Sequence, residues 1–179
     1  MDFRCNSHYG TIHLLIQAVS VKYRWGLAQY MTRGASRGLM IYLKTLSVAM
    51  DDGIVTDDEM SILDILANCV GLGEDNQKYA NSILDGTELS PITSVQEEEW
   101  SRRHIGDATC YQSALIAALD DEVITEDEMS MLDCLRRAMS LQPDEHALVE
   151  EAVRTMIENF DDVRLMTRLE SYLTANPSA

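Results

Sequence analysis

Leu46 to Leu66 reads LSVAMDDGIVTDDEMSILDIL, and Leu115 to Leu135 reads LIAALDDEVITEDEMSMLDCL. Laid over one another at a shift of 69 residues, the two stretches align without a gap and agree at 12 of 21 positions. Average residue usage would give about one or two agreements, so the chain carries an internal duplication. The match runs on more weakly beyond, with Leu72 against Leu141 and Asp75 against Asp144.

Each copy holds the same local instructions. Apolar residues at helical spacing (Leu39, Leu43, Leu46, Met50; Ala114, Leu115, Ala118, Leu119) lead into an acidic pair, Asp51-Asp52 or Asp120-Asp121. Two β-branched residues follow, and then Thr56-Asp57-Asp58-Glu59 or Thr125-Glu126-Asp127-Glu128. Thr with Glu three residues on is a capping box, in which hydroxyl and carboxylate each satisfy a free backbone N–H. First-turn carboxylates also complement the positive end of the helix dipole. A helix therefore starts at each Thr, and it is expected to bury Met60, Leu63 and Leu66, or Met129, Leu132 and Leu135. Gly71 suits the left-handed residue that ends the first of these helices; the aligned Ser140 lacks that freedom. Pro143 suits a first helical position.

Worked outward, the pattern predicts helices over 11–32, 36–50, 56–70, 74–85, 95–119 with a break near Gly106, 125–140, 143–159 and 161–174. Residues 86–93, with Pro91, read as the connector between halves. The fold expected is all-α: a compact multi-helix domain over 36–179, built of two similar halves at about 36–85 and 107–160, with an additional helical extension over 1–35.

Composition and charge narrow the function classes. Residues 1–50 carry six basic side chains against Asp2 alone, a net of +5, and the rest carries 8 basic against 29 acidic, a net of −21, which together give −16. Such an acidic body repels phosphates, so no nucleic acid is expected as a partner. The four cysteines show no metal-ligand spacing, and Cys69 and Cys134 fall on predicted helix interiors as small hydrophobes, which points to a cytoplasmic protein. No signal peptide and no membrane span are read. Histidines 8, 13, 104 and 146 form no zinc motif, and His146 is expected to face solvent. No phosphate-loop, dinucleotide or nucleophile-elbow motif occurs, so nothing suggests an enzyme.

The acidic turns leave two readings open. An EF-hand is excluded: with Gly53 at the sharp turn, the first and third ligand positions fall on Val48 and Met50, which cannot coordinate calcium. Yet Asp51, Asp52 and Glu59 with Asp120, Asp121 and Glu128 supply six carboxylates, the ligand type that Ca2+ or Mg2+ takes. The other reading makes Thr56 and Glu59 a helix cap worth about 1 kcal/mol and the aspartates ordinary turn residues.

Helix, acid-Asp-Gly, two β-branched residues, Thr-x-x-Glu and Leu-rich helix, twice and about 70 residues apart, resembles the TerB tellurite-resistance family. It is also similar to the TerB-like domain of a membrane-anchored DnaJ-type co-chaperone. The resemblance covers roughly residues 36–160. It implies an all-helical fold of two similar halves, divalent-cation ligands at Asp52, Glu59, Asp121 and Glu128, and work in stress-response or membrane-associated protein complexes. Glu122 stands where the second copy would carry the turn glycine, and no His-Pro-Asp motif occurs. A second functional signal is the basic, aromatic segment 11–32, expected to be a helix that docks on the chain's own core, on a partner protein or peripherally on the inner face of a membrane. The expectation is a non-enzymatic interaction module with a cation at its turns. The alternative is an accessory subunit of a larger assembly whose turns are only caps.

Overall fold

Ser36 opens the first helix by accepting the Leu39 N–H on its hydroxyl at 3.1 Å, and the five residues that follow, Leu39 to Leu43, are all buried. An amphipathic surface helix would expose some of them, so this helix lies inside the molecule. A computed structural model describes residues 34–120 and 124–175, and the predicted helix 11–32 lies outside the described residues. Among the described residues there are eight helices and no strand. They are α1 Arg37–Ala49, α2 Asp57–Val70, α3 Glu74–Leu84, α4 Ser94–Trp100, α5 Asp107–Ala118, α6 Glu126–Ala138, α7 Pro143–Phe160 and α8 Val163–Ala175. None is long and apolar enough to cross a membrane.

The packing follows the repeat. The most extensive contacts are α2 with α5 and α1 with α6, and the 69-residue shift exchanges one pair for the other. Within each copy, α1 packs on α2 and α3 as α5 packs on α6 and α7. So α1 and α5 are central, and their buried Leu39, Ile41, Leu46, Tyr111 and Leu115, with Leu119 at the end of α5, share one core with Ile62, Leu63, Leu66, Met131, Leu132 and Leu135. Each fully buried Leu or Ile contributes roughly 2 kcal/mol, more than a single cap, so core burial rather than helix propensity holds the helices together.

The helix ends repeat as well. The Leu72 N–H reaches Ala67 O at 2.7 Å and the Leu141 N–H reaches Arg136 O at 3.0 Å, the same closing bond one repeat apart. Gly71 takes φ 72, and Ser140 takes φ 51 in its place. The missing glycine therefore does not change the helix ending. Ser140 Oγ donates to Ser101 O, a tie that holds this L-residue in the left-handed region.

The expected break in helix 95–119 is present: residues 101–106 leave the helix path and Gly106, at φ 95, restarts it as the N-cap of α5. Three expectations need correction. Met60 is 43% exposed and Met129 half-buried, while Glu59 and Ile62, or Glu128 and Met131, take the inward positions. Cys69 is exposed rather than an interior hydrophobe. His146 is not solvent-facing: its side chain is 13% exposed and packs edge-on against Tyr111, with ring centroids 5.4 Å apart.

Candidate functional site

The two turns are built alike. α1 closes with the Asp51 N–H on Val48 O at 3.1 Å, and α5 with the Asp120 N–H on Ala117 O at 3.0 Å. In the first turn Asp52 Oδ1 accepts the Ile54 N–H at 2.8 Å, the local hydrogen bond that makes Asp a turn residue. Thr56 and Thr125 then adopt the same backbone, φ −75 and ψ 166, and each begins a complete capping box. Glu59 Oε2 accepts the Thr56 N–H at 2.7 Å and the Thr56 hydroxyl at 2.9 Å. Glu128 Oε2 accepts the Thr125 N–H and hydroxyl at the same two distances. Both carboxylates are buried, at 2% and 1% exposure.

That geometry distributes the six candidate ligands. Glu59 and Glu128 turn inward and spend an oxygen on their own threonines. Asp51, Asp52 and Asp120 are exposed, and Asp121 lies outside the described residues. Among the described residues, no three His, Cys, Asp or Glu side chains come together as a metal-holding group. Calcium takes six to eight oxygens at roughly 2.3–2.6 Å, and magnesium needs a stricter octahedron. The described carboxylates do not make such a set. Positive charge reaches the second turn from α8 instead: Arg168 donates to Leu119 O at 3.1 Å and to Asp120 O, and Arg164 lies 3.9 Å from the Asp120 carboxylate.

Two further polar centres went unread in the sequence. Arg37 in the first turn of α1 meets Asp107 in the first turn of α5 with two parallel bonds of 2.9 and 2.8 Å. Its guanidinium also donates to Trp100 O at 2.8 Å and Arg102 O at 3.2 Å, so one side chain pins the 101–106 segment and both repeats. The second centre surrounds His146. Its Nε2 lies 3.0 Å from Glu150 Oε1, and Nδ1 is buried with no hydrogen-bond partner among the described residues. Burial pushes the His146 pKa down, against the pull of Glu150, and protonation would place a second N–H where no acceptor waits. Tyr111 and Tyr172 hydrogen-bond alongside, and burial pushes the Tyr172 phenol up to about 12. This largely buried network joins α5, α7 and α8.

A recess of a different kind lies on the surface of the described residues. Where α7 turns into α8, a groove of about 440 Å³ is lined by apolar Ile157, Val163 and Met166 and by acidic Glu158, Asp161, Asp162 and Glu170. No Lys, Arg or His lines it. Val163 is 73% exposed and the neighbouring Phe160 78%. Asp161, in the left-handed region at φ 55, ends α7, and Asp162 Oδ1 caps α8 by accepting the Leu165 N–H at 3.0 Å. The turn that forms the groove is thus fixed by the same acids that line it. No family model, curated protein or solved structure matches the chain.

Proposed function

We propose that the chain is a non-enzymatic interaction module, an accessory subunit that seats a basic, amphipathic helix of a partner protein in the α7–α8 groove. The duplicated turns act as helix caps in this reading. The observation that carries it is the groove itself: three apolar side chains, Thr167 and four acids, of which Glu170 is bonded to the neighbouring Arg154 and the other three face no basic lining residue, with an exposed phenylalanine alongside. Helix-in-groove docking uses apolar anchors one turn apart, and opposite charge around them sets orientation and encounter rate. The −21 net charge of residues 51–179 adds long-range attraction for a basic partner. The resemblance of the turns to TerB domains supports placing the module in a stress-response or membrane-associated complex.

The test is fluorescence anisotropy with a labelled helical peptide of leucines and lysines, set beside a peptide with glutamates in place of the lysines. Glu158→Lys/Val163→Lys alters the groove. Glu88→Lys/Leu89→Lys makes the same change of charge and exposed apolar surface on the connector before α4. The reading expects the groove variant to lose about tenfold in affinity, the worth of one buried anchor and its charge. Equal loss in both variants would mean general attraction to an acidic surface and would sink the groove.

A further inference from the structure

The contact between α2 and α5 contains two thiols from different repeats. Cys69 sits in the last turn of α2 and Cys110 in the first turn of α5; both ends meet at the first turn of α1, where Arg37 bonds Asp107 at 2.8 Å and Gly38 packs against Val70, and the Cys69 thiol lies close enough to act on that of Cys110. Both are free; Cys69 is exposed and Cys110 is buried at 6% exposure. The 69-residue shift places Ala138 and Ile41 at the matching positions, both buried and apolar. These matched positions are aliphatic in one copy and are both thiols in the other. A single buried cysteine is an ordinary small hydrophobe, but a pair with one member open to solvent has the layout of a redox couple.

We propose that Cys69 and Cys110 are a reversible oxidation site that closes to a disulfide tying α2 to α5. The oxidant is a low-molecular-weight disulfide, RSSR. The Cys69 thiolate, formed by loss of its proton to solvent, attacks one sulfur of RSSR, and the S–S bond breaks to release RS⁻. Cys110 then loses its proton and attacks the Cys69 sulfur of the mixed disulfide, expelling the second RS⁻. The protein gives up two electrons and two protons, and RSSR is reduced to two thiols once those protons are taken up. A dithiol reductant reverses the exchange. Burial, Cys69 and Asp107 all raise the Cys110 pKa, which makes the second displacement the slower one and faster as pH rises.

The experiment is oxidation of the full, folded chain with oxidised glutathione, followed by digestion without reductant and mass spectrometry. The expected product is a linked peptide pair containing Cys69 and Cys110, in protein lighter by two hydrogens. Cys110→Ala, a small apolar replacement, should leave Cys69 as a lasting glutathione adduct, and Cys69→Ser should leave Cys110 unmodified. Closing a loop of this length should also raise the melting midpoint by about 10 °C, reversed by dithiothreitol and absent in Cys69→Ser. No modification, a glutathione adduct that persists on Cys69 of the unaltered chain, or linkage through Cys5 or Cys134 would each overturn the proposal.

Discussion

Glu59→Gln separates a helix cap from a cation site by the sign of its effect. The carboxylate is buried and accepts two hydrogen bonds from Thr56, at 2.7 Å from nitrogen and 2.9 Å from oxygen. A bond to a charged acceptor is worth roughly 1.5–3 kcal/mol, and one to a neutral acceptor about 0.5–1.5. If the glutamine oxygen keeps both bonds, the centres of those ranges differ by about 1.25 kcal/mol per bond, or about 2.5 for the pair. The lost charge at the start of α2 removes a further 0.3–1, roughly, of dipole stabilisation. The sum is about 3 kcal/mol, which in a chain of this size lowers the melting midpoint by about 6–12 °C. Glu128→Gln should fall at least as far, since it makes the same two bonds at the same burial.

A carboxylate cluster waiting for a cation responds the other way. With chelator present, removing one of several crowded negative charges relieves repulsion and raises the midpoint. Thermal melts in chelator, with and without millimolar calcium at matched ionic strength, read both effects. A raised or unchanged midpoint for Glu59→Gln in chelator refutes the cap assignment. So does a calcium-dependent rise in the unaltered chain that both variants lose.

Three more outcomes follow from buried contacts. Arg37→Met leaves Asp107, 5% exposed, with only Arg103 at 3.4 Å and the His104 N–H at 2.6 Å, and should cost about 3 kcal/mol by urea denaturation; a loss near zero would show that the pair holds nothing. Gly38→Ala places a methyl 2.7 Å from Val70 O and 3.2 Å from Val70 Cβ, so despite a helix propensity gain of about 1 kcal/mol it should destabilise by about 1–3, and a stabilised variant would refute the close approach of α1 and α2. His146 has a folded pKa below its ordinary value, so the unfolded chain takes the proton first; its contribution is whole above about pH 6.5 and is lost as pH falls toward the lowered value. Urea midpoints should drop across that window, with Glu150, Asp133, Arg136, Tyr111 and Tyr172 unaltered, and His146→Gln should flatten the drop.

The duplicated stretch made much of the fold legible because capping and helix termination are local. Thr56, Thr125, Gly71 and Pro143 stand where their short-range chemistry puts them. Burial was less legible, because it depends on the partner helix. Glu59 turns inward since a capping-box glutamate folds back on its own first turn, and Met60 is displaced to the surface. The Arg37–Asp107 pair joins residues 70 apart that have no periodic relation, so no local pattern announces it. The groove was illegible for a similar reason: it forms where Asp161 takes a left-handed turn without glycine, and only exposed Phe160 and Val163 flanking the Asp161-Asp162 pair hint at it. The acidic turns were legible as chemistry but not as geometry, since the sequence counts carboxylates without saying which way they point.

Where the acids sit decides how much of this chain's charge needs a special explanation. Every helix from α2 to α7 carries at least one carboxylate in its first turn, from Asp57, Asp58 and Glu59 to Asp144 and Glu145. There the helix dipole is positive and the acids are stabilising. Asp51 and Asp120 have no such account, because each follows the C-terminal end of a helix, where the dipole is negative. In the second turn Arg164 and Arg168 offset the mismatch, and no basic side chain hydrogen-bonds or pairs with Asp51 among the described residues. Asp51→Asn should therefore raise the melting midpoint by about 1–3 °C in chelator, while Asp120→Asn changes it little. The asymmetry is the test: a cation shared by two equivalent turns would make both substitutions harmful once calcium is present. Equal destabilisation of the two variants in calcium would return the turns to metal chemistry, whatever the caps contribute.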